Sequence, residues 1–342
     1  MTQHDSGPPP DAGQAEQTDH TGQSGRTGLA IGFVGLGVMG QPMARHLHAA
    51  GHVLHLHDLR ADAATRFAES LGERVRVVPN LRELAACSEI VITMLPDGRI
   101  VQQVCLGDDG LEPGLRPGSL LLDTSSSEPW LTRETAARLA ARGVAMVDAA
   151  VSGAQWGAEE ASLVFMAGGE ADDLARVRPL LDRMGRTVVH LGPIGAGHQM
   201  KCINNLITAV TFGATAEGLA IGKASGLDPN AMLQVLNAST GGSWVSRTHF
   251  EQRILSRRFD DPFKLALMLK DMGIATALAR EQHVPVPLSG LALQLWQAAD
   301  RAAGPGASVS EWVRWVERQA GVELSPGRRD PDAPLQARPG TA

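Results

Sequence analysis

The sequence predicts an α/β protein: a doubly wound parallel sheet followed by an all-α half. Three observations carry this. The apolar run Leu29 to Val34 passes straight into glycines at 35, 37 and 40, and then into a helical pattern. From there to about Leu191, β-rich apolar runs alternate with helical ones, which is the signature of strands joined by crossover helices. Beyond Gly197 the strand pattern stops and only helical periodicity remains.

The first strand, glycine turn and helix form one unit. Met43, Leu47 and Ala50 share a helix face, and Gly51 stops that helix. A second strand, Val53 to His57, ends at Asp58. Further strands are expected at Val75–Val78, Ile90–Leu95, Leu120–Leu122, Ala145–Asp148, Leu163–Ala167 and Thr187–Leu191. Helices are expected at Leu81–Cys87, Ile100–Cys105 and Glu128–Arg142, the last stopped by Gly143. In the second half a long helix runs from Lys201 to Ser225. Asp228-Pro229 starts another, with an N-cap followed by proline at the first position. Helical patterns continue through Ala231–Asn237, Leu265–Arg280, Leu288–Ala303 and Val309–Ala320. The reading divides the chain into a Rossmann-type domain at 29–191 and an all-α domain at 192–324. The long helix joins them and the ligand cleft lies at their junction. Segments 1–28 and 325–342 are too polar and Pro-rich to bury a core and are expected to be disordered.

Composition narrows the function classes. The net charge is −6, and the 31 Lys and Arg form no dense basic block, which argues against a nucleic-acid partner. No apolar run is long enough to cross a bilayer, and the N-terminal segment lacks the apolar core of a signal peptide. Cys87, Cys105 and Cys202 are odd in number and sit in apolar contexts, so they are expected to be free, buried and in a reducing, cytoplasmic compartment. The chain has no tyrosine, so no Tyr can serve as a catalytic acid.

The glycine turn, G-x-G-x-x-G between a strand and a helix, is a dinucleotide-binding pattern. Its glycines allow a tight turn, close approach of a pyrophosphate, and close helix–strand packing. Gly35, Leu36, Gly37, Val38, Met39 and Gly40 are the cofactor-binding candidates. Asp58 stands about 20 residues beyond the turn, where a carboxylate binds the ribose diol.

Other motifs admit two readings from the residues alone. Met94-Leu95-Pro96 is either a plain strand end or a cleft edge. In Asp123-Thr124-Ser125-Ser126-Ser127, Ser127 can cap the next helix, while three hydroxyls exceed what one cap needs. Asp148 to Ala154 is a tight small-residue loop or an anion-binding one. Gly192 to Asn205 is a glycine-rich turn opening a helix with Lys201 in its first turns and Asn205 on the same face. There Lys201 is either a solvated lysine or a group whose pKa the helix N-terminus depresses into a range suited to proton transfer. Lys270-Asp271 in an otherwise apolar helix reads from spacing as a surface pair. His55 and His57 share a strand face, yet no third ligand lies near them, so no metal is expected.

Taken together these motifs resemble the β-hydroxyacid dehydrogenase family, which includes 3-hydroxyisobutyrate dehydrogenase and tartronate semialdehyde reductase. They stand in the family's order: GFVGLGVMGQPMARHL from Gly32, M-L-P at Met94 to Pro96, D-x-S-[ST]-x-x-P at Asp123 to Pro129, a D-A-P-V-S-G-G-like stretch at Asp148 to Ala154, G-x-G-x-x-x-K-x-x-x-N at Gly195 to Asn205, and K-D at Lys270-Asp271. The resemblance covers Ile31 to about Ala320. It implies hydride transfer between a nicotinamide dinucleotide and a short β-hydroxy acid or its semialdehyde or keto acid. It also implies roles: Lys201 as acid/base, Asn204 and Asn205 on substrate, and Ser125, Ser152 and Gly153 on its carboxylate. Leu95, Pro96 and Ser126 would touch cofactor, with Lys270 at the nicotinamide end.

This sequence departs from the family at Ala150, where proline is usual, and at Ala154, where glycine is. Related imine reductases typically carry Asp or Tyr at the position of Lys201, and non-catalytic readers of the same fold tend to lose the lysine. The lysine therefore favours a dehydrogenase over both. Asp58 followed by Leu59 predicts NAD over NADP, with NADP also admitted because Arg60 is close. Apolar residues of the helical half (Trp244, Phe250, Leu291, Leu293, Trp296, Trp312, Trp315) predict a homodimer or dimer-based tetramer through that half.

Overall fold

A computed structural model describes residues 28–325; the expected disordered tails lie outside the described residues apart from Gly28 and Ser325. The sheet-bearing half begins with β1 (Ala30–Val34), α1 (Gly40–Ala49), β2 (Val53–His57), α2 (Ala61–Leu71) and β3 (Val75–Val77). It continues through α3 (Leu81–Ala86), β4 (Ile90–Thr93), α4 (Gly98–Leu106), β5 (Leu120–Asp123) and α5 (Pro129–Ala140). It closes with β6 (Ala145–Ser152), α6 (Ala154–Glu159), β7 (Leu163–Gly168), α7 (Ala171–Met184) and β8 (Gly185–His190).

The strands form one sheet in the order β3-β2-β1-β4-β5-β6-β7-β8. Strand order reverses between β1 and β4, which opens the crevice where ligands of doubly wound sheets bind. β4 and β5 are buried at every position because helices cover both faces. The expected all-parallel sheet is corrected to a mixed one: β6 and β7 are antiparallel, and β7 and β8 are parallel to each other. The connection Gly153–Ser162 is shorter than the crossover a parallel pair requires, so the chain turns back on itself. The same pairing extends β6 beyond Asp148. Ala149, Ala150 and Val151 are strand residues against Ala167, Met166 and Phe165, not a loop.

The helical half consists of α8 (Ala196–Ala224), α9 (Pro229–Ala238), a π-helical segment (Ser246–Leu255), α10 (Leu265–Glu281), α11 (Pro287–Ala303) and α12 (Glu311–Ala320). α8 packs on β6 and β7 at its start and on α9, α10, α11 and α12 further along. The apolar interior is correspondingly divided. Two clusters flank the sheet, around Ile31, Phe33 and Leu54 and around Val91, Leu121 and Leu139. A third fills the helical half around Phe212, Phe250, Trp296 and Trp312.

That third core revises the surface expected to drive association. Phe250, Trp296 and Trp312 are buried within their own chain: Trp296 stacks on Trp312, and Phe212 meets Phe250 at a tilt and Trp296 edge-on. Trp244 and Leu291 do remain exposed, joined by Ile207, Ile221 and Leu288. The cysteines are free, as expected, but Cys87 is only half-buried.

Candidate active site

The carboxyl ends of β1, β2, β4 and β5 open into a cleft of about 980 Å³ that reaches from Asp58 to Lys201 and α10. At its first end the glycine turn leaves β1. Gly40 lies so close to Gly35 that a Cβ there would meet the Gly35 carbonyl oxygen at 1.9 Å, which forces glycine where α1 starts. A Cβ on Gly37, by contrast, would meet no protein atom within 4 Å. Gly37 faces the cleft, so the room its missing side chain leaves is open to a ligand. Met39 offers α1 no side-chain cap, which leaves the helix start available to phosphates. α3 and α4 differ: Asn80 and Asp97 accept from their first-turn N–H groups.

Asp58 closes this end. Its Oδ2 accepts from Leu36 N at 2.8 Å and its Oδ1 from Arg60 N at 2.9 Å. The Arg60 guanidinium lies 3.6 Å from Oδ1 and is otherwise exposed. Gly35, Gly37, Val38, Met39 and Gly40 line the cleft. Leu36 departs from the expectation that the whole turn contacts a ligand: its side chain is wholly buried in the core and its N–H is committed to Asp58.

Further along, Met94, Leu95, Pro96 and Ser126 line the wall. The three serines separate into different tasks. Ser126 faces the cleft. Ser125 is fully buried, outside the cleft lining, and its Oγ accepts from Leu95 N at 2.9 Å, so it braces the β4 loop. Ser127 donates to Asp123 Oδ2 at 3.0 Å, and Glu128 occupies the N-cap position of α5. The capping reading of Ser127 is thereby corrected: α5 starts one residue later, so Glu128 takes the N-cap position and the Ser127 hydroxyl turns to Asp123.

Lys270 and Asp271 are not a surface pair. Asp271 is 1% exposed, and Lys270 reaches across from α10 to donate to the carbonyls of Pro96, at 3.1 Å, and Ser126. Helical half and sheet loops are thus tied together at the cleft. Asp271 is the residue that spacing alone missed. The signal was present: Met268, Asp271, Met272 and Ala275 share the buried stripe of α10, and a carboxylate on an apolar stripe needs a polar partner.

Lys201 stands in the second turn of α8 and lines the cleft beside Asp271, Lys270, Val151 and Ala154. Burial pushes its pKa down; the nearby Asp271 carboxylate opposes this and Lys270 adds to it. Desolvation, not the helix dipole, is therefore the main cause, since Lys201 lies past the first turn where the dipole acts. Asn205, one turn on, is buried, and its Nδ2 donates to Asp271 Oδ2 at 2.6 Å. Asn204 Nδ2 donates to Asn205 Oδ1 at 3.2 Å. Ser152 ends β6 and Gly153 follows it at the start of α6, between the lining residues Val151 and Ala154. Gly153 (φ 137°) and Ala154 (φ 55°) both take positive φ, so the residue replacing the family's second glycine sits in a left-handed conformation. On β2, His55 Nδ1 pairs with Ser88 Oγ and His57 Nδ1 with the Val78 carbonyl.

A dinucleotide turn, a desolvated lysine and a buried carboxylate on one cleft define a nicotinamide-dependent dehydrogenase. Residues 30–192 match the NAD-binding domain of 6-phosphogluconate dehydrogenase, and residues 195–316 match the NAD-binding domain of NADP-dependent 3-hydroxyisobutyrate dehydrogenase. An NAD-dependent L-serine dehydrogenase from Pseudomonas aeruginosa is 37% identical over 78% of this chain and 91% of its own. The structure of a 3-hydroxyisobutyrate dehydrogenase from Mycobacterium tuberculosis with L-serine superposes with a TM-score of 0.76, at 32% identity, over 84% of this chain and 99% of that one. An imine reductase from Myxococcus stipitatus, 19% identical with a TM-score of 0.56 over 84% of this chain and 99% of its own, shares the fold alone. The chain belongs to the 3-hydroxyisobutyrate dehydrogenase family of β-hydroxyacid dehydrogenases. It is an NAD(P)-dependent oxidoreductase that acts on the CH–OH group of a hydroxy acid.

Proposed function

We propose that the chain oxidises a short β-hydroxy acid of the L-serine or 3-hydroxyisobutyrate type, with NAD preferred and Lys201 as the acid/base. The observation that carries this is the shared cleft: the glycine turn and a desolvated lysine amine line one continuous space. Bound nicotinamide supplies the hydride acceptor. Lys201, in its neutral form, takes the hydroxyl proton as the carbinol hydrogen leaves; in the reverse direction its ammonium returns that proton to the developing alkoxide. No tyrosine exists to compete for this role. Ser152 and the Gly153 N–H, at the end of β6, hold the substrate carboxylate. Asn205, fixed by Asp271, and Asn204 orient the hydroxyl end.

Asp58 supports NAD preference, because a 2′-phosphate would meet its charge. We assign residues 29–191 and 192–324 as two domains, and the exposed apolar residues Ile207, Ile221, Leu288 and Leu291 to association as a homodimer or a dimer-based tetramer. The test is NADH formation with a panel of β-hydroxy acids and their methyl esters, wild type against Lys201→Met. Acids turn over, esters show a strongly raised KM, and Lys201→Met lowers kcat about 10²- to 10⁴-fold while still binding NADH. Lys201→Arg recovers little, since guanidinium does not release its proton near neutral pH. Retention of more than about a tenth of kcat by Lys201→Met overturns the assignment.

A further inference from the structure

His198 lies in the first turn of α8, three residues before Lys201, and is wholly buried. Its Nδ1 is 2.8 Å from Thr132 Oγ1 on α5. Its Nε2 points toward Asp123 Oδ2 at 3.6 Å and makes no hydrogen bond. Asp148 completes the group: Oδ1 accepts from Gly195 N at 2.6 Å and Oδ2 from His198 N at 2.8 Å, with the ring Nδ1 3.9 Å away. Two buried carboxylates from neighbouring strands thus converge on the start of the helix that carries the lysine.

Asp123 also braces the opposite wall. Asp123 Oδ1 accepts from Thr93 Oγ1 at 2.8 Å and from Ser125 N at 3.0 Å, and its Oδ2 accepts from Ser127 Oγ. Ser125 in turn holds Leu95 N. A polar chain therefore runs from the cleft wall at Leu95 through Ser125 to Asp123, whose Oδ2 stands 3.6 Å from the His198 ring. Buried polar groups are costly unless hydrogen-bonded, and a network so satisfied fixes a geometry.

We propose that His198 is a positioning residue: its ring, hydrogen-bonded to Thr132 and seated beside Asp123, fixes the first turn of α8 against α5 and the end of β5, adds to the bonds from the Gly195 and His198 backbone N–H groups to Asp148 on β6, and so sets where the Lys201 amine meets the cleft. It touches neither substrate nor cofactor. The charged groups around the ring are Asp123 and Asp148, with the Arg133 side chain passing alongside Gly195. Those acting on Lys201 are Asp271 and Lys270, while burial keeps the adjacent Cys202 thiol neutral. A loosened first turn lets water reach the Lys201 amine, which weakens the desolvation that holds its pKa down. A displacement of about 1 Å at a reacting group can cost about 10²-fold in rate.

The inference rests on Lys201 as the acid/base. It is tested by comparing His198→Leu, His198→Gln and Thr132→Val with wild type and Lys201→Met, by kcat, NADH affinity and the pH profile of oxidation. His198→Leu is expected to lower kcat at pH 8 by about tenfold or more. NADH affinity stays within about twofold, and the limb reporting loss of the lysine proton moves to higher pH. His198→Gln, which keeps a hydrogen-bonding group within reach of Thr132, restores most of kcat and returns the limb. Thr132→Val reproduces a smaller version and carries the test with His198→Gln should His198→Leu not fold. Unchanged kcat, or a parallel fall in kcat and NADH affinity with an unmoved limb, overturns the proposal. An active Lys201→Met overturns the acid/base reading instead, so the two failures are distinguishable.

Discussion

Asn205 Nδ2 donates to Asp271 Oδ2 at 2.6 Å, joining α8 to α10 behind Lys201. The contact gives the buried Asp271 carboxylate a polar partner and fixes the amide one helical turn from the lysine. It also places Asp271 where it holds Lys201 more protonated than burial alone would allow.

The pH dependence follows from the signs. Burial lowers the Lys201 pKa and Asp271 raises it. The neutral amine is the form that accepts a proton, so oxidation gains rate as pH rises through that pKa. Removing the carboxylate charge lowers the pKa further. In Asp271→Asn the rising limb of kcat against pH is therefore expected at lower pH than in wild type. A limb that stays in place or moves up shows that Asp271 does not act on the lysine through its charge.

Ser125 and Ser152 should separate in kinetics. Ser125→Ala leaves the Leu95 N–H without its acceptor, at a cost of about 1–3 kcal/mol in stability. Thermal unfolding detects this, with little change in the KM ratio of acid to methyl ester. Ser152→Ala should raise the KM for the acid selectively and leave the ester unaffected. The reverse pattern would return Ser125 to the substrate.

Asp58 lines the cleft and braces the glycine turn through Leu36 N. Asp58→Asn is expected to lower kcat/KM with NAD by about tenfold, a loss of about 1.4 kcal/mol, and to raise the NADP-to-NAD ratio of kcat/KM, since the exposed Arg60 is then free to meet a 2′-phosphate. Steady-state kinetics with both cofactors decides it; a ratio that stays constant removes Asp58 as the discriminator.

Ala154 holds φ 55°, a conformation that costs a residue with a Cβ about 1–2 kcal/mol. Ala154→Gly relieves this and loses part of the gain to greater freedom in the unfolded chain. The expected net is a stabilisation of about 0.5–1 kcal/mol, read as a rise in Tm of a few degrees. A lower Tm would mean that the alanine methyl packs well enough to outweigh the strain.

The glycine turn was legible because its constraint is local. Gly40 is dictated by a backbone oxygen five residues away, and the apolar run before it has few ways to fold except as a buried strand. The long helix, its lysine and the order of strands and helices were legible for the same reason: periodicity and stop residues act over one or two turns. α7 escaped notice because Pro179 interrupts its pattern, although neighbouring packing keeps it helical.

Tertiary structure alone decided the rest. Three adjacent serines look alike in sequence, yet one faces the cleft, one braces Leu95 and one binds Asp123, because each points to a different neighbour as the chain leaves β5. Lys270-Asp271 reads as a surface pair until α10 docks against the loops after β4 and β5. Sequence by itself determined the class of cofactor and singled out the lysine that lines the cleft, since those depend on short-range geometry. The direction of β7, the partners of Asp271 and His198, and the dryness that lowers the Lys201 pKa depend on residues far apart in the chain. Burial and charge at a point are sums over neighbours, and only the packed fold says which neighbours those are.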